Sequence, residues 1–594
     1  MSDPMQTQRF EELPNQPTPG PERSGNRNLL PILIGVGIAL VVLAGAGAAG
    51  ALFFLNQRSN AIPQFLPAET QFYAALNPNL SDVPNLQRLQ AAFPELLDQQ
   101  NAESPTQVLE EQLGVSFEED IAPWIGTEIA IAGTGFDLSS IDPEASSEQM
   151  AQLAQDGELL IILASRDDAK AQAFLDKQRT AREGNGETFS ESKAGNLTIY
   201  EQQDAENSPL AAFAYYNKHV FFASRAAALT EVVERDLAGN TTLQANPRFQ
   251  AVQKGLPETR LGYIFVDGLT LGTLAELGVQ QASAQLPPEQ LQRFEEQIQN
   301  IKALQGLGLS FVAIGDGLQF DSLVSFDLSK LTAEVTAQVE EARQPVDAKR
   351  VETISRDAVS LFTFKIPTSF KDQVLEAIQN LPDGQQTLED FESQFEVNLE
   401  QDVLSWFNGD ASLVILPGDK IGDTTLPATG YFSIRPADRA AAEAGMEKVA
   451  AALERSAGDS LSFSQEQIAG ADWQAVIEPN TNDLVGGYAF VGDDLVLAFG
   501  ARAMDDAVDG AGTPISAEAG YKQSTSVLAN PNGGLFYFDV QKIIGLVDAA
   551  ELGDTIDDQT RQRLAPIKAI AAAGEPGVSA EGLARARMIV TIGE

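Results

Sequence analysis

Few side chains in this chain are equipped for chemistry, and the rarest types narrow the field first. Cysteine is absent and histidine occurs once, at His219. Thiolate nucleophiles, zinc–thiolate sites and His-rich metal sites are excluded, and a serine–histidine mechanism would have to run through that one imidazole. No G-x-S-x-G elbow accompanies it, and its position in YYNKHVFFAS reads as a surface residue opening a strand. Ser190-Glu-Ser-Lys193 has the S-x-x-K spacing in which a lysine activates a serine, but S-D-N and K-T-G are missing. It falls in REGNGETFSESKAGN, which reads as a polar loop. Asp505, Asp506, Asp509 and Gly510 imitate the start of a calcium loop, yet the twelfth position holds Ser516 in place of the bidentate Glu. Asp554, Asp557 and Asp558 read as a solvated helix start, and no G-K-[ST] phosphate loop occurs. No cofactor is expected.

A carboxylate pair beside an indole is the remaining candidate. VSFEEDIAPW holds Val115, Glu118, Asp120 and Trp124, and VNLEQDVLSW holds Val397, Glu400, Asp402 and Trp406, displaced by 397 − 115 = 282 residues. Two carboxylates roughly 5–10 Å apart across a sugar, with their pKa values pushed apart, is the glycosidase arrangement. Both places would need that environment, whereas carboxylates commonly cap turns and helices. The spacing therefore reads as a folding signature, with Val115, Phe117, Ile121 and Trp124 as anchors and Glu118 and Asp120 capping the turn.

The echo extends along the chain. QFYAALNP, ending at Pro78, pairs with SLFTFKIP, ending at Pro367, at 367 − 78 = 289. HVFFASRAA pairs with LVLAFGARA, bringing Arg225 opposite Arg502 at 502 − 225 = 277, and LGYIFVDG with GLFYFDVQ, bringing Asp267 opposite Asp539 at 539 − 267 = 272. IKALQG from Ile301 pairs with IKAIAA from Ile567, at 567 − 301 = 266. A shrinking displacement over segments kept in order predicts one domain-sized unit used twice, the second copy with shorter loops.

Each unit reads as α+β. FYAALN, TEIAIAG, ELLIILAS, PLAAFAYY, HVFFAS, RLGYIFVD, LGLSFVAIG and LQFDSLVSFD show strand alternation or short apolar runs, and GDG at Gly315–Gly317 signals a tight hairpin. Asp168–Gln178 and Asp438–Glu454 read as helices opened by aspartate caps, and Ala226–Leu237 and Pro288–Leu304 are helical in period. The expected architecture is two tandem copies of a mainly antiparallel sheet with helices on one side, over 65–329 and 350–594, joined by a polar connector at 330–349.

Before them, Leu29 to Leu55 carries no charge over 55 − 29 + 1 = 27 residues, enough to cross a hydrocarbon core of about 30 Å. That predicts one transmembrane helix, with 1–28 a disordered cytoplasmic tail and 56–64 a linker. Arg23 and Arg27 before the span, against Arg58 after it, put the N-terminus in the cytoplasm and the large part outside. Within the span Gly45-Ala-Gly47-Ala-Ala-Gly50 is literally G-x-G-x-x-G. A dinucleotide turn needs an aqueous strand–turn–helix, so Gly45, Gly47 and Gly50 read instead as a small-residue face suited to a helix–helix homodimer.

With 84 acidic against 39 basic side chains the net charge is −45, which repels nucleic acid and tolerates cations, basic proteins or neutral glycans as partners beside the bilayer at 29–55. The span, LPAETQFYAALNPN just beyond it and the motif V-x-[FL]-E-x-D-[IV]-x-x-W in each unit resemble the bacterial membrane proteins grouped as domain of unknown function 3352. The resemblance implies an anchored two-copy ectodomain and supplies no activity or catalytic residue. The expectation is a non-enzymatic, extracytoplasmic protein that binds or scaffolds an envelope protein or glycan. Its rivals are an envelope hydrolase using Asp/Glu residues and a carrier of hydrophobic ligands.

Overall fold

The computed structural model describes residues 62–76, 116–136, 157–203, 210–238, 242–283, 298, 300–379, 381, 383–421, 424–479, 481–509, 512–549 and 556–593. The apolar segment 29–55 with Gly45, Gly47 and Gly50 lies outside them, as does Val115. No described helix is long and apolar enough to cross a membrane.

The chain is α+β, built on one large antiparallel sheet of 20 strands. Its first run is β1 (Phe72–Leu76), β2 (Ile125–Thr134), β3 (Glu158–Ser165), β4 (Phe189–Ala194), β5 (Leu197–Gln202), β6 (Ala212–Tyr216), β7 (His219–Ala223), β8 (Gly262–Asp267), β9 (Leu304–Ile314) and β10 (Gly317–Phe326). The second is β11 (Ser360–Ile366), β12 (Gly409–Pro417), β13 (Ala428–Ile434), β14 (Ser462–Ile468), β15 (Ala471–Glu478), β16 (Asp483–Val491), β17 (Asp494–Phe499), β18 (Gly534–Asp539), β19 (Ile567–Gly574) and β20 (Leu583–Ile592). The first run pairs in the order β4-β5-β6-β7-β3-β2-β1-β8-β9-β10. Adding ten to each label gives the order of the second run. The runs join where β10 pairs antiparallel with β20, with Asp321 opposite Arg587 and their side chains 2.6 Å apart. The Gly315–Gly317 hairpin forms as its sequence implies: Gly317 pairs with Ile314, and a Cβ on Gly317 would overlap the Val590 carbonyl of β20.

Helices pack on parts of both faces of the sheet, not on one. β3 sends Leu160 and Ile162 to one side and Leu163 to the other, and all three are buried. A strand apolar on both faces needs cover on both. On the first side α2 (Ala226–Ala238) and α3 (Pro247–Gly255) close a core holding Tyr73, Ile162, Phe221, Leu229, Val252 and Phe265. On the second side α1 (Asp168–Gly184) packs Phe174 and Leu175 on Trp124, Ile129, Leu163 and Phe222. The same division recurs around the second run. There α5 (Arg439–Ala457) lies over Trp406, Ala411, Ile434 and Leu495, opposite the core that holds Leu361, Val414, Tyr431 and Tyr537. Between the runs, the connector contains α4 (Ala333–Ala342), capped by Thr332.

Candidate functional site

The two acidic–tryptophan segments form matching turns. Each is π-helical, at Phe117–Ile121 and Leu399–Leu404. The Asp120 carbonyl accepts from Trp124 Nε1 at 2.5 Å and its Oδ2 from the Ser116 N–H at 3.2 Å. Asp402 does the same with Trp406 Nε1 at 2.7 Å and the Asn398 N–H at 2.8 Å. Each carboxylate then meets a lysine from the helix above, Lys177 of α1 at 2.5 Å and Lys448 of α5 at 2.7 Å. The Lys448 hydrogen bond, aided by the Asn398 N–H, lowers the Asp402 pKa below the ordinary aspartate value. Val397 is buried beside the turn, and Glu400 reaches Lys371 at 2.8 Å. An aspartate so placed ties its turn to the helix above through charge-assisted hydrogen bonds.

The other sequence candidates do not assemble into a centre. His219 is buried, not on the surface: its ring packs against Phe65 at 4.9 Å between centroids and Nδ1 lies 2.6 Å from the Asn217 carbonyl oxygen. Burial lowers its pKa, so it stays neutral at neutral pH. Ser190 and Lys193 sit on the edge strand β4, not in a loop, and three residues apart on a strand they face opposite sides. Asp505, Asp506 and Asp509 lie on α6 (Ala501–Asp509), and burial pushes the Asp506 carboxyl up. Asp557 caps a short helix at Asp558–Leu564 through the Thr560 N–H, in line with a helix start. Among the described residues no three His, Cys, Asp or Glu side chains converge as a metal site.

Two features escaped the sequence. One is a polar pocket of about 350 Å³ in the second run, lined by Asp347, Arg350, Ser412, Ser433, Arg435 and Asp494 among others. Arg350 is only 5% exposed. Its Nε donates to Ser412 Oγ at 2.8 Å and its Nη2 to Ser433 O and Oγ at 3.2 and 2.8 Å. Asp494 bridges Arg350 and Arg435 at 3.1 and 3.0 Å, and Arg435 also holds Asp347 at 3.0 Å. In the first run, 412 − 130 = 282 residues earlier, Ala130 pairs with Ile162, and both are buried core. The polar pocket thus belongs to one run alone.

The other is an open apolar face. Cross-strand neighbours point the same way, and the ladder aligns Met588, Ala572, Phe536, Phe362 and Leu413 across β20, β19, β18, β11 and β12. Phe362 is 41% exposed, Leu413 45% and Phe499, on the same face, 48%. Phe362 stacks on Phe364 at 4.7 Å, and a trough of about 610 Å³ runs between these rings and Glu341 of the connector helix.

An antiparallel α+β protein with a polar pocket and an unroofed sheet face is thus the class that fold and geometry define. The chain belongs to the family described as "Protein of unknown function (DUF3352)", whose model matches residues 33–591. No curated protein matches it. Among solved structures it is similar to crystal form I of TP0453, at 10% identity and a TM-score of 0.23, over 48% of this chain and 85% of that one. Crystal forms III and IV of TP0453 are similar at 12% identity and a TM-score of 0.23, over 47% of this chain and 84% and 83% of theirs.

Proposed function

We propose that this protein is a single-pass, membrane-anchored extracytoplasmic component that binds or scaffolds envelope material without catalysing a reaction. The observation that carries the binding part is the unroofed face with Phe362, Leu413 and Phe499 exposed. Leaving such side chains in water forgoes roughly 1 kcal/mol or more each relative to burial, a cost that association recovers. Residues 29–55 serve as the anchor, with the N-terminus cytoplasmic and Gly45, Gly47 and Gly50 as a homodimer face. Residues 65–329 and 350–594 are two copies of one folding unit. Support for that reading comes from the common strand order of the two runs and from the paired Asp–Trp–Lys turns.

A second reading, a carrier of hydrophobic ligands, draws on the trough of about 610 Å³ beside Phe362, Phe364 and Phe536. The test of the main reading uses the full chain in bilayers, incubated with solubilised envelope fractions. The triple variant Phe362→Ser, Leu413→Ser, Phe499→Ser should lose most bound material, while the exposed control Gln385→Ser keeps it. Equal retention by both would remove the face from the account. Turnover of a glycan or peptide by the full chain, abolished by one carboxylate substitution, would overturn the non-enzymatic reading.

A further inference from the structure

We propose that the Arg350 pocket binds one ring of a neutral sugar, as a monosaccharide or as a unit of a glycan. At about 350 Å³ the cavity is at the small end of the range of about 300–1,000 Å³ for ligand pockets, a size for one ring and not for a chain. Of the five guanidinium N–H groups of Arg350, those on Nε and Nη2 are committed to Ser412 and Ser433. Nη1 stands 3.1 Å from Asp494 Oδ2 as an ion pair but makes no directed hydrogen bond, although it is buried.

The charges around the cavity choose among acceptors. Lys349, Arg350 and Arg435 face Asp347, Asp493 and Asp494, so the wall is already balanced. An added anion would stand uncompensated in a molecule of net charge −45, and an added cation would face the same balanced wall. A ring of hydroxyls is neutral, and can accept from the more exposed Arg435 and Lys349 while donating to the Asp493 carboxylate. The lining also holds the apolar side chains Ile354, Val491, Val496, Ala507 and Val508, which suit the C–H face of such a ring.

The pocket is built for holding, not for hydrolysis. The Lys349 backbone N–H and then the Arg435 side chain lower the Asp347 pKa, and the oxygens of Asp494 face two guanidinium groups. Asp347 is therefore not the proton-bearing acid that glycoside cleavage requires. The first run fills the same place with Ala130, Ile162 and Phe221, so one site per chain is expected. This inference is independent of the apolar face, and either can fail alone.

The test is saturation-transfer NMR and titration calorimetry on the full chain, in a detergent without a sugar headgroup. The probes are glucose, galactose, mannose and N-acetylglucosamine, with sodium acetate as the anion and glycine as the zwitterion. At least one sugar should bind with unit stoichiometry. Asp493→Ala, an exposed change at the rim, should weaken it about tenfold, the equivalent of one charge-assisted hydrogen bond. Val508→Phe, which fills the apolar side, should abolish it. Unfolding midpoints read alongside separate lost binding from lost folding, and Asp493→Ala keeps the test alive if Val508→Phe does not fold. Silence from all four sugars, undiminished binding in folded forms of both variants, or binding of acetate or glycine alone would overturn the proposal.

Discussion

Gly445 sits in the interior of α5, where intrinsic propensity makes glycine worse than alanine by about 1 kcal/mol. Replacement by alanine would ordinarily stabilise such a helix. Here the reverse is expected. A methyl group on Gly445 would overlap the Asp402 carbonyl oxygen and lie 2.6 Å from Trp406 Nε1, the two atoms joined by the 2.7 Å indole hydrogen bond. Trp406 is buried, so neither atom can turn to water. Overpacking of this kind costs about 2 kcal/mol, and parting a buried indole N–H from its acceptor about 2 more. Set against the helix gain of about 1, the net loss for Gly445→Ala is about 3 kcal/mol. Urea unfolding of the full chain, followed by tryptophan fluorescence, measures it. Gly545→Ala is the paired control: it lies exposed in α7 (Val540–Ala549) with nothing within 4 Å of the added methyl, and should gain up to about 1 kcal/mol. If Gly445→Ala proves as stable as the parent, or if both variants move the same way, the idea that α5 is clamped on the Asp402 turn is wrong.

Further outcomes follow from other sites. Arg350→Met should cost about 3–5 kcal/mol in the same urea assay, because it leaves the buried Ser412, Ser433 and Asp494 groups without their cation. Tyr73→Phe removes the buried 2.8 Å donation from Tyr73 to Glu128 Oε1 in the first run and should cost about 1–3 kcal/mol, with little change in the second run's transition. The lowered pKa of Asp402 means its folded form binds a proton less readily than its unfolded form, so its stabilising effect is present above the ordinary aspartate pKa and fades as pH falls through the folded value. Acid titration of Asp402→Asn should accordingly lose less stability than the parent over that window, and parallel curves would contradict it. Since the chain has no cysteine, Ser526→Cys gives a single label, and an impermeant maleimide should reach it from outside intact cells if the large part is extracytoplasmic.

Local chemistry was legible where it depends on neighbours in sequence. The Asp–Trp turns, the Gly315–Gly317 hairpin and most strands follow from spacing within a dozen residues. Caps were readable to within a residue: Asp438 opens α5 as expected, while α1 is capped by Asp167 instead of Asp168. Register was not. Matching Pro78 with Pro367 sets Tyr73 against Phe362. The ladders instead place Tyr73 opposite Phe265 and Leu361 opposite Tyr537, at 361 − 73 = 288. One residue of slip exchanges the faces of a strand, and here it decides that Leu361 is core while Phe362 is the open surface.

By itself, then, the sequence determined the α+β class, the family, the recurrence of the acidic–tryptophan turn and the lack of any cysteine. Those properties reside in residue types and short-range periodicity, which each segment carries wherever it packs. Tertiary structure alone decided that β1 lies between β2 and β8, that β10 and β20 fuse the runs into one sheet, and that Arg350 and His219 are buried. It also decided which aromatic face stays uncovered. The physical reason is that burial and charge pairing are properties of what lies across a contact. Arg350 meets Ser412, Ser433 and Asp494 from 62, 83 and 144 residues away (412 − 350, 433 − 350 and 494 − 350), a distance over which spacing in the chain carries no information about proximity.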